Sequence, residues 1–87
     1  MAHLRLPPTL QPLFAGLPRR LDVDAPTVAA ALEQLDERWP GLQDRLCHRG
    51  PELRMHIHVY VDGRRADLDA PIGDTSRVDV IAAISGG

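Results

Sequence analysis

The feature that most constrains the fold is one amphipathic helix pattern in the middle of the chain. Thr27 can cap its first turn, and Pro40-Gly41 ends it. An apolar stripe on one side of a helix needs a sheet to cover it, so the chain predicts an α+β fold with one main helix packed across a sheet. The apolar residues recur at the spacing of a helix and form one stripe: Val28, Ala31, Leu32, Leu35 and Trp39.

Alternating and apolar segments on both sides of this helix predict the strands. Asp62-Gly63 is typical of a type I′ hairpin turn. The order strand, strand, helix, strand, strand, strand predicts a mixed sheet of four or five strands, with the first and last strands adjacent at its centre. We expect loops over residues 9–18 and 48–53, and a short turn or single helical twist over 42–46. The predicted strands are 3–6, 21–24, 57–61, 64–68 and 78–84.

Length and composition indicate one globular domain, which we expect to cover residues 1–84, followed by a flexible tail over 85–87. The chain has 87 residues and a net charge of −2, with both signs interspersed, which argues against nucleic acid or an anionic membrane as the main partner. Cys47 is the only cysteine, so no intrachain disulfide can form. The N-terminal segment is too short and charged for a signal peptide, and no apolar run approaches a membrane span, so a cytoplasmic protein is expected.

The last strand runs directly into the tail Ser85-Gly86-Gly87. Glycine has no Cβ and tolerates almost any backbone conformation, so two in succession make a thin and mobile tip. Such a tip can thread a narrow channel in another protein and present its carboxylate to a reactive centre. The alternative is an ordinary frayed end.

Metal binding and nucleophilic catalysis have weaker support in the sequence. Cys47-His48 together with His56 and His58 contains metal-ligand residue types, but the spacing matches no zinc motif, so no metal site is predicted. Cys47 has no recognisable His and Asn or Asp partners for nucleophilic catalysis. We therefore predict no catalytic residue and no bound cofactor.

Five short segments carry a resemblance to a known family: Leu4-Arg5-Leu6-Pro7, Thr27-Val28, Val59-Tyr60-Val61-Asp62-Gly63, Gly73-Asp74 and Gly86-Gly87. Together they resemble the MoaD/ThiS family of ubiquitin-like β-grasp sulfur carriers over essentially the full chain. The long segment 42–55 looks more like the actinobacterial, CysO-type carriers than like compact ThiS proteins. The chain departs from many relatives at Thr75-Ser76-Arg77, between Asp74 and the last strand, and at Ala82-Ala83, where relatives often have proline.

The resemblance implies a protein co-substrate rather than an enzyme. A ubiquitin-activating-type enzyme would adenylate the Gly87 carboxylate with ATP, and a sulfurtransferase or sulfide source would convert it to a thiocarboxylate. A downstream synthase would then accept the sulfur for cysteine, thiamine or a specialised metabolite. The alternatives are the small subunit of molybdopterin synthase, a ubiquitin-like modifier that forms isopeptides, and a β-grasp binding module with an inert tail.

Strand parity predicts where such partners dock. If Val78, Val80 and Ala82 point inward, then Asp79, Ile81 and Ala83 point to the sheet face that the helix leaves uncovered. By the same parity His58 and Tyr60 point to that face. The predicted partner interface is the partly apolar patch of His58, Tyr60, Ile81 and Ala83. The alternative is a singly exposed tyrosine beside an ordinary isoleucine.

Overall fold

The computed structural model describes residues 1–48, 52–53 and 56–82. Five of its strands form one mixed sheet in the order β2-β1-β7-β5-β6, and β3 and β4 form a separate antiparallel pair. This is the predicted α+β arrangement, with five strands in the main sheet. In chain order the elements are β1 (Ala2–Arg5), a 3-10 helix (Pro8–Leu13), β2 (Arg20–Val23), α1 (Val28–Arg38), α2 (Leu42–Leu46), β3 (Cys47–His48), β4 (Glu52–Leu53), β5 (Ile57–Val61), β6 (Arg64–Ala66) and β7 (Arg77–Ala82).

The first and last strands lie side by side at the centre of the main sheet. β1 and β7 run parallel, with Leu4 opposite Val78. β2 pairs antiparallel with β1 at one edge, and β5 and β6 form the hairpin at the other. Strand β7 therefore has a neighbour on each side, which places the strand that leads into the tail in the middle of the fold.

One apolar core joins the helices to the sheet. The apolar stripe of α1 is fully buried except for Trp39, which packs partly buried against it. Leu68 and Ile72 come from the segment before β7 and close the core from that side. The largest fully buried side chains are Leu4, Leu6, Val28, Leu32, Leu35, Leu42, Leu46, Val59 and Val78.

The hairpin turn between β5 and β6 has the predicted type I′ form. Asp62 and Gly63 both adopt positive φ, at 52° and 83°, as both central positions of that turn require. Asp62 also fixes the hairpin to the central strand: its Oδ1 accepts from the amide of Arg77 at 2.9 Å, and its own amide donates to the Arg77 carbonyl at 2.8 Å.

Three local elements differ from the sequence-based expectation. The segment expected as a loop over 9–18 begins with a 3-10 helix, and the expected loop over 48–53 contributes to the β3–β4 pair. Strand β6 ends at Ala66 rather than at Leu68. Two-residue strands and a six-residue 3-10 helix are too short to produce a periodic pattern, so periodicity could not indicate them. No helix in the described part of the chain is long and apolar enough to cross a membrane.

The start of α1 is capped by a side chain and by backbone from the segment before β7. Thr27 Oγ1 accepts from the amide of Ala30 at 3.1 Å. The amides of Val28 and Ala29, which precede Ala30, also have no partner within the helix. They donate to the carbonyl groups of Ala70 and Leu68, respectively.

Removing this cap should destabilise the fold measurably. Thr27→Ala leaves the Ala30 amide without its acceptor, so we expect the free energy of unfolding to fall by about 1 kcal/mol in urea titrations. Thr75→Ala is the matched control, because Thr75 is exposed in a turn; we expect a change below about 0.5 kcal/mol. Equal effects in both variants would contradict the capping role.

Candidate functional site: the helix-free face of the sheet

Alternation along β5 and β7 separates the two faces of the main sheet. Val59 and Val80 are buried on the side of α1, and the neighbouring residues point to the opposite side, here called the outer face. His58 and Tyr60 are half-buried there, and Ile81 is 45% exposed. His58 lies directly opposite Ile81 on the paired strand.

The structure thus brings together three of the four predicted interface residues, and the assignment of faces by parity agrees with it. Ala83, the fourth, lies outside the described residues, as do Ser85, Gly86 and Gly87 of the tail. That the outer face binds a partner stays a prediction.

A row of polar side chains crosses all five strands on the outer face. Residues directly opposite one another on paired strands share a face, so the strand register defines this row. Asp79 on the central strand lies between Arg5 and Tyr60, and arginines end the row at both edges. In sheet order the row is Arg20, Arg5, Asp79, Tyr60 and Arg65.

The outer face carries more positive than negative charge. Four exposed arginines, at positions 5, 20, 65 and 77, share it with two aspartates, Asp22 and Asp79. The chain as a whole has a net charge of −2, so the remaining surface is correspondingly acidic. Within the described residues, none of these four arginines forms an ion pair. On the same face, His3 Nδ1 and Asp22 Oδ1 are hydrogen-bonded at 2.7 Å.

Two enclosed polar atoms on the outer face lack a hydrogen-bond partner within the described residues. They are Nδ1 of His58 and Oδ1 of Asp79. The two residues lie on adjacent strands, with Asp79 two positions before the residue opposite His58. An enclosed polar atom without a partner costs roughly 1–3 kcal/mol, so folding alone does not explain why these residues are polar.

Replacing His58 by valine should therefore stabilise the isolated protein. The change removes an unpaired enclosed nitrogen and adds a β-branched side chain beside Ile81, so we expect the free energy of unfolding to rise by about 0.5–1 kcal/mol in urea titrations. His3→Val is the matched control on the same face, because the His3 ring is paired with Asp22; we expect no increase there. A loss of stability in His58→Val would contradict the idea that His58 is unsatisfied.

Two shallow grooves lie along this face within the described part of the chain. One, of about 560 Å³, runs between β2, β1 and β7 and contains Arg5, Arg20, Arg77 and Asp79 in its lining. The other, of about 300 Å³, lies beside the end of β7 and is lined by Arg5, Pro7, Arg19 and 79–82. The charged row thus adjoins Ala82, the last described residue of β7.

The length of the tail limits where it can act. Five residues follow Ala82, the last residue of β7. At about 3.3–3.6 Å per extended residue, they reach at most about 18 Å. A partner that acts on the Gly87 carboxylate must therefore bind close to this end of the sheet.

The residues weighed for a metal site do not come together. Cys47 is buried in the core and His56 is exposed. No group of three or more His, Cys, Asp or Glu side chains that could hold a metal ion occurs among residues 1–48, 52–53 and 56–82.

Sequence reasoning placed His58, Tyr60, Ile81 and Asp79 on the outer face, but it did not place Arg5, Arg20 and Arg65 beside them. Parity within each strand was readable, since Arg5 alternates with buried leucines. The register between strands was not, and only register shows that the three arginines, Asp79 and Tyr60 form one row. A rule that aligned the turn at Asp62-Gly63 with its flanking strands could have found Arg65 opposite Tyr60.

A protein-family model and several solved structures match this chain. The model of the ThiS family matches residues 13–87. The structure resembles a chain of the Amycolatopsis orientalis BexX/CysO complex (TM-score 0.85, 22% identity, 100% of both chains covered). It also resembles Mycobacterium tuberculosis CysO (TM-score 0.84, 21% identity, 97% of this chain and 100% of that one). Likeness at this identity concerns the fold.

A third similar structure is SAMP1 of Haloferax volcanii, a small archaeal modifier protein (TM-score 0.75, 29% identity, 99% of this chain and 98% of that one). Comparison with curated protein sequences found no significant match. The shared fold in all three structures is the ubiquitin-like β-grasp.

Proposed function

This chain belongs to the ThiS family, and from that premise we propose that it is a sulfur carrier that works as a C-terminal thiocarboxylate. The observation that carries the proposal is the extent of the family match, which covers residues 13–87 and so includes the diglycine. The resemblance to CysO structures over essentially the whole chain supports it. The protein is then a co-substrate whose reactions are catalysed by its partners.

The proposed chemistry has two steps at the Gly87 carboxyl group. A carboxylate oxygen attacks the α-phosphorus of ATP, pyrophosphate leaves, and an acyl-adenylate forms in the site of a ubiquitin-activating-type enzyme. A sulfide-level donor then attacks the carbonyl carbon, and AMP leaves with one of the former carboxylate oxygens. The product is a thiocarboxylate, which gives its nucleophilic sulfur to a small-molecule acceptor held by a downstream synthase.

In this chemistry the folded domain binds the partner enzyme and positions the tail. The outer face, with His58, Tyr60 and Ile81, is the proposed docking surface for the activating enzyme. The tail then reaches the nucleotide site of the partner. Amycolatopsis orientalis CysO forms a complex with BexX, which supports the proposal that this chain, too, works by docking on other proteins.

Intact-mass measurement tests the proposal. The purified chain is incubated with the adenylating enzyme of its native host, ATP and a sulfide source. Exchange of one oxygen for sulfur should add roughly 16 Da, as expected for conversion of an acid to its thio form. The increase should disappear when ATP is omitted. An unchanged mass with ATP present would contradict the carrier function.

A protein modifier is the second candidate, because the chain is 29% identical to SAMP1, a small archaeal modifier protein. In that case the activated Gly87 would form isopeptide bonds with lysines of other proteins. The chain contains no lysine, so it could not form lysine-linked chains with itself. ATP-dependent high-mass conjugates of a tagged chain in host lysate, without the 16 Da product, would favour this function.

A further inference from the structure

The outer face of the sheet is basic in a chain that is acidic overall, and we infer that it docks on an acidic protein surface of the adenylating enzyme. The inference deepens the proposed function and rests on it. Arg20, Arg5 and Arg65 make the contacts to carboxylates of the partner. Asp79 and His58 take hydrogen bonds or polar contacts from the same surface.

The arginines of the outer face provide the first support for this inference. All four on the outer face are exposed, and none forms an ion pair within the described residues. Arg5 and Arg20 lie directly opposite each other, an arrangement of like charges that costs stability in the free protein. Carboxylates of a partner would relieve that repulsion, because guanidinium groups bind carboxylates in a planar, two-pronged geometry.

The width of the row favours a protein surface over a small anion as the binding partner. Arg20 and Arg65 lie on opposite edge strands, four inter-strand spacings apart. At about 4.8 Å per spacing, their backbones are about 19 Å apart. A single phosphate cannot bridge that distance, whereas a protein interface of ordinary size covers it.

The carboxylate oxygen Oδ1 of Asp79, enclosed in the middle of the row, favours a protein over a polyanion as the binding partner. Asp79 Oδ1 has no hydrogen-bond partner among residues 1–48, 52–53 and 56–82, and it needs a donor. The phosphates of nucleic acids or anionic lipids present only acceptors to such a group. An acidic protein surface can supply carboxylates for the arginines and an N–H or O–H group for Asp79.

Steady-state kinetics with the host's adenylating enzyme tests this inference. The readout is ATP–pyrophosphate exchange as a function of carrier concentration. R20E/R65E should raise the KM for the carrier by about tenfold at 50 mM NaCl with kcat unchanged, because charges at the edge of an interface act mainly on association. The ratio to wild type should shrink towards one near 0.5 M NaCl, where the Debye length falls to about 4 Å.

R38E/R45E is the matched control, since it makes the same change in net charge on α1 and α2, away from the outer face. Its KM should stay within about twofold of wild type. If R20E/R65E does not fold, R20Q/R65Q removes the same positive charges and should still raise KM severalfold.

The possible outcomes separate the two proposals. Equal KM values for wild type and the outer-face variant, or a KM for wild type that does not depend on salt, would overturn the inference and leave the carrier function standing. Absence of exchange with the wild-type chain would overturn both. Binding of wild type but not R20E/R65E to phosphatidylserine vesicles, with KM unchanged, would assign the face to a membrane and overturn the inference.

Discussion

Adding one alanine after Gly87, or replacing Gly86 by tryptophan, should abolish thiocarboxylation and leave the stability of the domain unchanged. An added residue moves the reactive carboxylate by about 3.3–3.6 Å along an extended tail. A misplacement of 1 Å can cost about a hundredfold in rate, so the loss should be complete within detection. At position 86, a large side chain thickens the tip that must enter the nucleotide site. The measurement is the 16 Da mass increase beside urea unfolding of the same samples.

Gly73→Ala is the matched control for these tail variants. A Cβ at Gly73 would meet Ser76 Oγ at 3.8 Å, an ordinary van der Waals contact, so the domain should tolerate it and remain fully thiocarboxylated. Normal thiocarboxylation of the chain with the added alanine would contradict the assignment of Gly87 as the reactive residue. Loss of activity with loss of folding in the Gly86 variant would show a structural effect instead.

Leu32→Ala should have the opposite effect, destabilising the fold without changing the chemistry of the tail. Leu32 is fully buried in the core between α1 and the sheet. Its truncation leaves a cavity, and we expect the free energy of unfolding to fall by about 2–5 kcal/mol. That is a large share of the roughly 5–15 kcal/mol that stabilises a domain of this kind. The measurement is urea unfolding monitored by circular dichroism.

The control for this variant is Leu13→Ala, because Leu13 is 50% exposed. We expect it to change the free energy of unfolding by less than about 0.5 kcal/mol. The folded fraction of Leu32→Ala should still gain 16 Da with the activating enzyme. A folded but unreactive Leu32→Ala protein would mean that the core also governs docking.

Several features of this fold could be predicted because their signals are local. The stripe from Val28 to Leu35 and the capping threonine before it define α1, and the structure confirms both. Asp62-Gly63 defines the hairpin, since few other dipeptides adopt positive φ at both positions. The ThiS family and the β-grasp fold were recognised because several short segments, among them Asp62-Gly63 and Gly86-Gly87, resemble that family, and the family match and similar structures confirm them.

The β3–β4 pair and the 3-10 helix could not be predicted, because each is held by contacts with the rest of the fold. In the 3-10 segment, Leu10 is buried in the common core, and the 3-10 turn itself has no periodic pattern. Leu68 reads as the end of a strand but lies in a turn and is buried. Its carbonyl accepts from the Ala29 amide at the start of α1. Tertiary contacts therefore determine the local structure at Leu10 and Leu68.

The amino-acid sequence was sufficient to predict the helix, the central strands, the turn, the inward and outward sides of β5 and β7, and the resemblance to the family. Those properties depend on residues close together along the chain. Only the tertiary structure decided which outward residues meet, namely that Arg20, Arg5, Asp79, Tyr60 and Arg65 form one row. The physical reason is that strand register depends on pairing between distant segments, and a shift of two residues would preserve every inward and outward side while bringing different charges together.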